Sequence, residues 1–345
     1  MDKTRHEMKA QYQALAKTFD QVAGASGALR ALVDSYKPRA LVFIGCGSGY
    51  CLCRSGAFGA AGRAGLPAYA FAAGDLMLHA GQYKAMLDHS LVVAPTRSGS
   101  TSELLLAFDS LRATADVKIV AIVAKSGTEA GKAADFVIEL PWAFDDSVCQ
   151  TRAVTNLYTA DLMVSAILSG DDALLGELRR CIAQGERFIA ENEALMERVG
   201  QSEWDNAVLL ADGEPAGLAA EGAMAVTEIA QLHAHHYHIL DVRHGPMVLV
   251  NERTLVFALL QDEGLDQQLK VVADCRARGA KVVAYGASNL RPEDADVVVM
   301  PGEPFSNAVA AIPFMYLVQQ ACVSKAAARG IDPDNPEGLS AWVKL

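Results

Sequence analysis

The chain has no long apolar stretch. Its hydrophobic runs are short and broken by charge or glycine, which leaves no candidate for a membrane-spanning helix. It is also short of basic residues, with 30 Lys and Arg against 41 Asp and Glu, and the net charge of −11 argues against nucleic acid or an anionic membrane as the main partner. None of the seven cysteines falls in a CxxC pair, and Cys51-Leu52-Cys53 alone lacks zinc-ligand spacing, so reduced, free thiols are expected. The opening stretch MDKTRHEMKAQYQALAK carries charge where a signal peptide needs an apolar core, and a cytoplasmic protein is expected. An acidic balance does not exclude a small anionic ligand, because a local nest of backbone N–H groups and one arginine holds phosphate well.

What is present is a globular composition, 51% hydrophobic and 21% charged over 345 residues, long enough for two lobes with a large core. Residues 5 to 36 have helical spacing, with Met8, Tyr12, Leu15 and Phe19 recurring every three or four positions. Strands are predicted at Arg39 to Ile44, Ala68 to Ala72, Leu91 to Ala94, Lys118 to Val123 and Phe136 to Leu140, with helices between them to about Gly65 and Thr114. That alternation predicts an α/β fold whose parallel sheet is covered by helices on both faces. The plan then repeats, with strands at Ala207 to Leu210, Thr254 to Leu260, Lys281 to Tyr285 and Val297 to Met300. Leu91 to Lys118 spans 27 residues, and so does Thr254 to Lys281, which marks an internal duplication. The expected organisation is a helical segment at 1–36, a first lobe at 37–170, a connecting helix at 171–204, a second lobe at 205–330 and a tail at 331–345.

The most informative stretch is Ser90 to Glu103, SLVVAPTRSGSTSE. A buried strand runs into five hydroxyls within seven residues, Thr96, Ser98, Ser100, Thr101 and Ser102, and then into an apolar helix. Free N–H groups and the positive end of the helix dipole converge at such a point, which suits an anion. The plainer reading is an N-cap turn, but one cap needs one hydroxyl. The second copy has LLQDEGLDQQ where the first has APTRSGSTSE, so anion binding is expected of the first copy alone.

Five of the eight histidines lie between His233 and His244. On a helix, His233 and His236 would share a face, as would His235 and His238, but no spacing supplies a third ligand, so no metal is expected. Gly245-Pro246 ends this segment sharply and would hold His244 in a turn.

These motifs together resemble the sugar isomerase (SIS) domain pair, especially the isomerase half of glutamine–fructose-6-phosphate aminotransferase and related fructosamine-phosphate deglycases and amino-sugar-phosphate isomerase-deaminases. Thr96 to Glu103 resembles the SxSGxTxE phosphate loop, with Thr for the first Ser. Cys46-Gly47-Ser48-Gly49-Tyr50 resembles a CGTSY loop in which Gly49 replaces a serine that contacts the sugar. Val148 to Arg152 resembles VAxTK, and Glu221-Gly222-Ala223 through Glu228, His233 and His244-Gly245-Pro246 resembles EGALKLKE…HA…KHGP. Gly330 to Leu339 resembles the GxDxDxPRNL end.

The resemblance implies two tandem flavodoxin-like lobes and a phosphorylated sugar or amino sugar as substrate, with no cofactor. It places phosphate on Thr96, Ser98 and Thr101 with Arg97 nearby, and adds Cys46, Gly47, Ser48 and Val148 to the substrate site. Glu228 is implied as the base that moves a proton between C1 and C2, and His244 as the ring-opening group that reaches a neighbouring subunit, hence a homodimer. Three departures stand out. Asp2 rather than cysteine follows Met1 and no amidotransferase domain precedes the pair, so ammonia is not expected to come from glutamine in this chain. Ala225 and Thr227 stand at the two lysine positions of ALKLKE. The tail lysine that forms an imine falls at Ala341, with Lys344 the only substitute nearby. Isomerisation, deglycation or deamination is therefore expected over the synthase reaction.

Two rival readings exist. Ile44 to Tyr50 also resembles the first glycine loop of S-adenosylmethionine-dependent methyltransferases, but that reading explains neither the duplication nor the hydroxyl loop, and the GxGxG spacing fits a nicotinamide site less well. A phosphosugar sensor without turnover suits the missing lysines, but the 36 N-terminal residues are too few for the DNA-binding helices such regulators carry.

Overall fold

A computed structural model describes residues 2–345. The chain opens with α1 (Asp2–Lys9) and α2 (Gln11–Tyr36), a break at Ala10 dividing the helical stretch expected over 5–36. There follow β1 (Ala40–Gly45), α3 (Ser48–Arg63), β2 (Ala68–Ala72), α4 (Ala73–His79), α5 (Lys84–Leu87), β3 (Ser90–Thr96), α6 (Ser102–Thr114), β4 (Val117–Val123), α7 (Glu129–Ala133), β5 (Phe136–Glu139) and α8 (Arg152–Ser169). After α9 (Asp172–Gln201) come β6 (Asn206–Leu210), α10 (Pro215–Ile229), β7 (His233–Tyr237), β8 (Thr254–Leu259), α11 (Leu265–Ala277), β9 (Lys281–Tyr285), β10 (Val297–Val299) and α12 (Asn307–Arg329). Two compact units result, one of residues 9–183 with 338–345, the other of residues 2–8 with 184–337. The division falls inside α9.

In the first unit the sheet order is β2-β1-β3-β4-β5 and every pairing is parallel. β1 and β3 are buried at every residue, as strands covered on both faces must be. One face carries Val42, Ile44, Val92, Ala94, Ile119 and Ala121 against Leu104, Phe108 and Leu111 of α6 and Leu76 of α4. On the other side α3 lies along β1, and α8, buried over Ala153 to Ile167, lies along β3 and against α2. Complete burial of a leucine or phenylalanine contributes about 1.5–3 kcal/mol, so Leu104 and Phe108 tie the first two turns of α6 firmly beneath the end of β3.

The second unit repeats the order as β7-β6-β8-β9-β10, also parallel throughout. Both sheets thus have the doubly wound order 2-1-3-4-5, as the alternation and the duplication predicted. The histidine segment departs from expectation. His233 to Tyr237 is not helical but forms the edge strand β7, paired in register with β6 from Asn206–His233 to Leu210–Tyr237. Side chains of a strand alternate between faces, so His233 and His235 share one face and His236 lies on the other. The helical pairing that made a metal site conceivable does not exist. Among the described residues no cluster of three or more His, Cys, Asp or Glu is placed to hold a metal ion, and no helix is long and apolar enough to cross a membrane.

Candidate functional site

In a doubly wound sheet, ligands bind beyond the carboxyl ends of the strands, where the strand order reverses. In the first unit that point lies between β1 and β3, and a cavity of about 50 Å³ occupies it. Its walls include Cys46 from the β1–α3 turn and Gly49 from the first turn of α3, Thr96 at the end of β3 with Arg97, Ser98 and Thr101 from the loop that follows, Gln150, and Ala341 of the tail. The volume takes a few water-sized groups, enough for one tetrahedral anion.

The loop is braced by its own hydroxyls. Thr96 Oγ1 accepts from the Gly99 amide at 3.2 Å, and Ser98 Oγ accepts from the Ser100 amide at 3.2 Å. Ser100 Oγ donates to Glu129 Oε2 at 2.6 Å. Gly99 takes the left-handed φ of +60°, and a Cβ there would lie 2.4 Å from Thr128 Oγ1, so both backbone and space require glycine. Thr101 stands at the N-cap of α6, yet no side-chain hydrogen bond caps this helix, and the nearest partner of its hydroxyl is Ser98 Oγ at 3.5 Å. An ordinary capping turn would have spent that hydroxyl on the helix. Here the Ser98 and Thr101 hydroxyls border the cavity beside the positive end of the α6 dipole.

Gly47 and Ser48 begin α3. Gly47 is its N-cap, at φ +52°, its carbonyl accepts from the amides of Tyr50 and Cys51, and Ser48 is buried. A Cβ on Gly49 would lie 2.9 Å from the Pro95 carbonyl oxygen, so the turn closes onto β3 at the cost of a side chain at this position. Burial, reinforced by the negative charge of Glu103, pushes the Cys46 thiol up to about 12, and it borders the cavity as a neutral group. Val148 contributes its carbonyl, which accepts from Arg97 Nη1 at 3.0 Å. Its segment is anchored by the buried Asp145, whose Oδ2 accepts from the amides of Thr151 and Ala153, each at 2.8 Å, at the start of α8.

Arg97 is buried, and its contacts run to carbonyls of three residues, Ser147, Val148 and Ala341. The tail also meets the loop directly, since the Ser102 amide donates to the Val343 carbonyl at 3.3 Å and the Leu345 amide donates to Ser102 Oγ at 3.0 Å. Ala341, where the resemblance places the family's lysine, lies on the cavity wall. Lys344 does not line the cavity; it is close enough to Glu129 to help lower that carboxyl's pKa.

In the second unit, Glu228 is partly buried in the last turn of α10. His244 is exposed and follows a short turn at Asp241–Arg243, its amide donating to the Asp241 carbonyl at 2.9 Å. Gly245 at φ +121° and Pro246 then redirect the chain, the sharp break that the sequence predicted.

Two doubly wound lobes, one of them with a small cavity at its switch point, define an α/β protein of flavodoxin-like topology. Residues 36–168 and 202–300 match the SIS domain, and the chain belongs to that family. It is 26% identical over 310 residues to glutamine–fructose-6-phosphate aminotransferase (isomerizing) of Methanothermobacter thermautotrophicus, a match covering 88% of this chain and 51% of that protein. The chain thus spans about half the length of this relative. Among solved structures, glucosamine-6-phosphate deaminase from Thermotoga maritima superposes with a TM-score of 0.81 at 24% identity, covering 99% of this chain and 100% of the other. Tagatose-6-phosphate ketose/aldose isomerase from Escherichia coli superposes with a TM-score of 0.86 at 19% identity, covering 96% and 94%. The likeness to these two structures is one of fold.

Proposed function

We propose that this protein is a phosphosugar isomerase, deaminase or deglycase that acts on a ketose or amino-sugar 6-phosphate and works as a homodimer. The observation that carries the reading is the cavity between β1 and β3, bordered by the Ser98 and Thr101 hydroxyls and the start of α6. The relatives named above all carry hexose 6-phosphates in their names, which supports a phosphate in this place.

Anchoring the phosphate by Thr96, Ser98, Thr101 and backbone amides leaves the far end of an open-chain sugar to be acted on elsewhere, and binding energy gathered at the anchor orients that end. For an aldose, Glu228 removes the C2 proton and the C2–H electron pair forms the C1=C2 bond of an enediol as the C1 carbonyl oxygen takes a proton from water; Glu228 then returns its proton to C1 while the C2 hydroxyl gives its proton back to water and becomes the ketone. His244 of a neighbouring copy opens the ring. With Ala341 on the cavity wall, no amine stands at the position from which an imine would form, which favours a reaction without a covalent intermediate. The same substitution, with Ala225 and Thr227 at the other lysine positions, favours a second reading in which the chain senses a phosphosugar without turning it over.

A panel of hexose, hexosamine and fructosamine 6-phosphates, assayed for ketose formation and ammonia release, separates the two. Turnover of one member is expected, and Glu228→Gln lowers kcat by about 10²- to 10⁴-fold, the usual contribution of a general base, with phosphate binding unchanged. Equal turnover in the variant removes Glu228 as the base. Tight binding with no turnover across the panel selects the sensor.

A further inference from the structure

Arg97 is the one charged residue in the hydroxyl loop of residues 96–102. We propose, resting on the phosphate reading of that loop, that Arg97 is a positioning residue that clips the Ser147–Val148 segment and the C-terminal tail onto the loop and thereby closes the cavity over bound phosphate.

The geometry is that of a clip. Arg97 is 5% exposed; Nη1 donates to the carbonyls of Ser147 at 2.8 Å and Val148 at 3.0 Å, and Nη2 donates to the Ala341 carbonyl at 2.5 Å. Three segments far apart in the chain thus meet on one rigid plane. All three border the cavity, the loop through Thr96, Ser98 and Thr101, the Ser147–Val148 segment through Gln150 that follows it, and the tail through Ala341. Beyond Ala341 the tail continues along the start of α6, where Val343 and Leu345 engage the Ser102 amide and hydroxyl. Residues 338–340 and 342–345 are exposed, so little apolar burial holds the tail, and hydrogen bonds do most of the work. An arginine suits the task because its planar fork presents fixed donors in two directions, whereas a lysine ammonium is a point charge with no such plane.

The choice between a clip and a plain phosphate-attracting charge is therefore tested by Arg97→Lys. The full-length wild type, Arg97→Lys, Arg97→Gln and a chain ending at Ser340 are compared. Amide hydrogen exchange of Ser102 and of residues 341–345 is measured without ligand, and binding of inorganic phosphate and fructose 6-phosphate by calorimetry and stopped flow. Hydrogen bonds to a charged donor of this kind are each worth about one to two powers of ten. Both Arg97 variants are expected to speed tail exchange at least tenfold and to weaken fructose 6-phosphate about tenfold or more through faster dissociation. The shortened chain, which removes the Ala341 acceptor and leaves Arg97 intact, shows the same faster dissociation. Wild-type tail protection and affinity in Arg97→Lys overturn the proposal, because charge alone then suffices. Wild-type affinity in the shortened chain also overturns it, because the loop then needs no tail, even if the Arg97 variants fail to fold. If the wild type binds neither probe, it is the phosphate reading that fails, while tail exchange in the variants still decides whether Arg97 is the clip.

Discussion

The loop after β3 and the loop after β8 stand at the same place in two copies of one topology. Aligning Leu91 with Thr254 sets Ser98 opposite Gln261, Thr101 opposite Gly264 and Leu105 opposite Gln268. In the second copy the Gln268 side chain folds back over its own loop. Its Oε1 accepts from the Gln261 amide at 2.9 Å, and its Nε2 donates to the carbonyls of Gln261 at 3.1 Å and Glu263 at 2.7 Å. Asp262 accepts from the Ser288 amide at 2.8 Å and from its hydroxyl, so this carboxylate is turned to bracing a neighbouring loop. The first copy has Leu105 where Gln268 would stand, and no side-chain amide closes its loop. The topology offers a helix N-terminus after both strands. What separates the copies is which groups occupy it: a buried amide and two acids in one, hydroxyls facing a small cavity in the other.

The most direct way to break this comparison is to strip each loop in turn. Ser98→Ala combined with Thr101→Ala removes two hydroxyls from the cavity border, and a hydrogen bond to a charged group contributes about 1.5–3 kcal/mol. Affinity for a hexose 6-phosphate is expected to fall 100-fold or more by calorimetry. Asp262→Ala with Glu263→Ala in the second copy is expected to change it less than twofold. Equal losses from the two pairs mean that the copies have not specialised.

A smaller contrast separates two left-handed glycines. Gly99 has φ +60° with Thr128 Oγ1 only 2.4 Å from where a Cβ would stand, whereas Gly264 has φ +70° and its nearest neighbour is Gln267 Oε1 at 3.7 Å. An L-residue costs about 1–2 kcal/mol in this conformation, and overpacking adds about 1–3 kcal/mol only at Gly99. Urea unfolding is expected to give losses of about 3 kcal/mol for Gly99→Ala and about 1 kcal/mol for Gly264→Ala. A larger loss at Gly264 reverses the claim that the first loop is the more tightly built.

Strands whose residues are nearly all buried are written in the sequence as apolar runs, and the 27-residue spacing alone shows the duplication. The same repeat held a signal that the residue types hid. Ala40 to Ala68 spans 28 residues and Asn206 to His233 spans 27, so a strand was due at the histidines; their weak strand character and their spacing suggested a helix face instead. An edge strand needs only one pairing partner, and that tolerates polar residues on both faces. The hydroxyl loop was legible because one short stretch contains it. Arg97 was not, because whether an arginine meets an anion or three carbonyls depends on where residues 147, 148 and 341 return to it in space. Gln268 was opaque for the same reason: an amide in a helix reads as a surface residue until the loop it closes is in view.

The smallest effect isolates what the loop's outer brace does. Ser100 lies opposite Glu263, so the first copy has a neutral donor where the second has an acid. The Ser100 hydroxyl bond, chief among its causes, holds the exposed Glu129 carboxyl below the usual carboxylate range, with Lys132 and Lys344 adding to it. A depressed folded-state pKa means that this bond contributes above the unfolded pKa and is lost as pH falls through the folded one. Ser100→Ala is therefore expected to bring the Glu129 midpoint back up toward an ordinary glutamate in a carbon-detected NMR titration from pH 7 to pH 2. Phosphate affinity at pH 7 changes less than threefold, since Ser100 does not border the cavity. An unchanged Glu129 midpoint means that the bond is not formed in solution. A loss of affinity as large as that of the Ser98 and Thr101 pair means that Ser100 belongs with the anion groups, and the line between brace and binding site has to be redrawn.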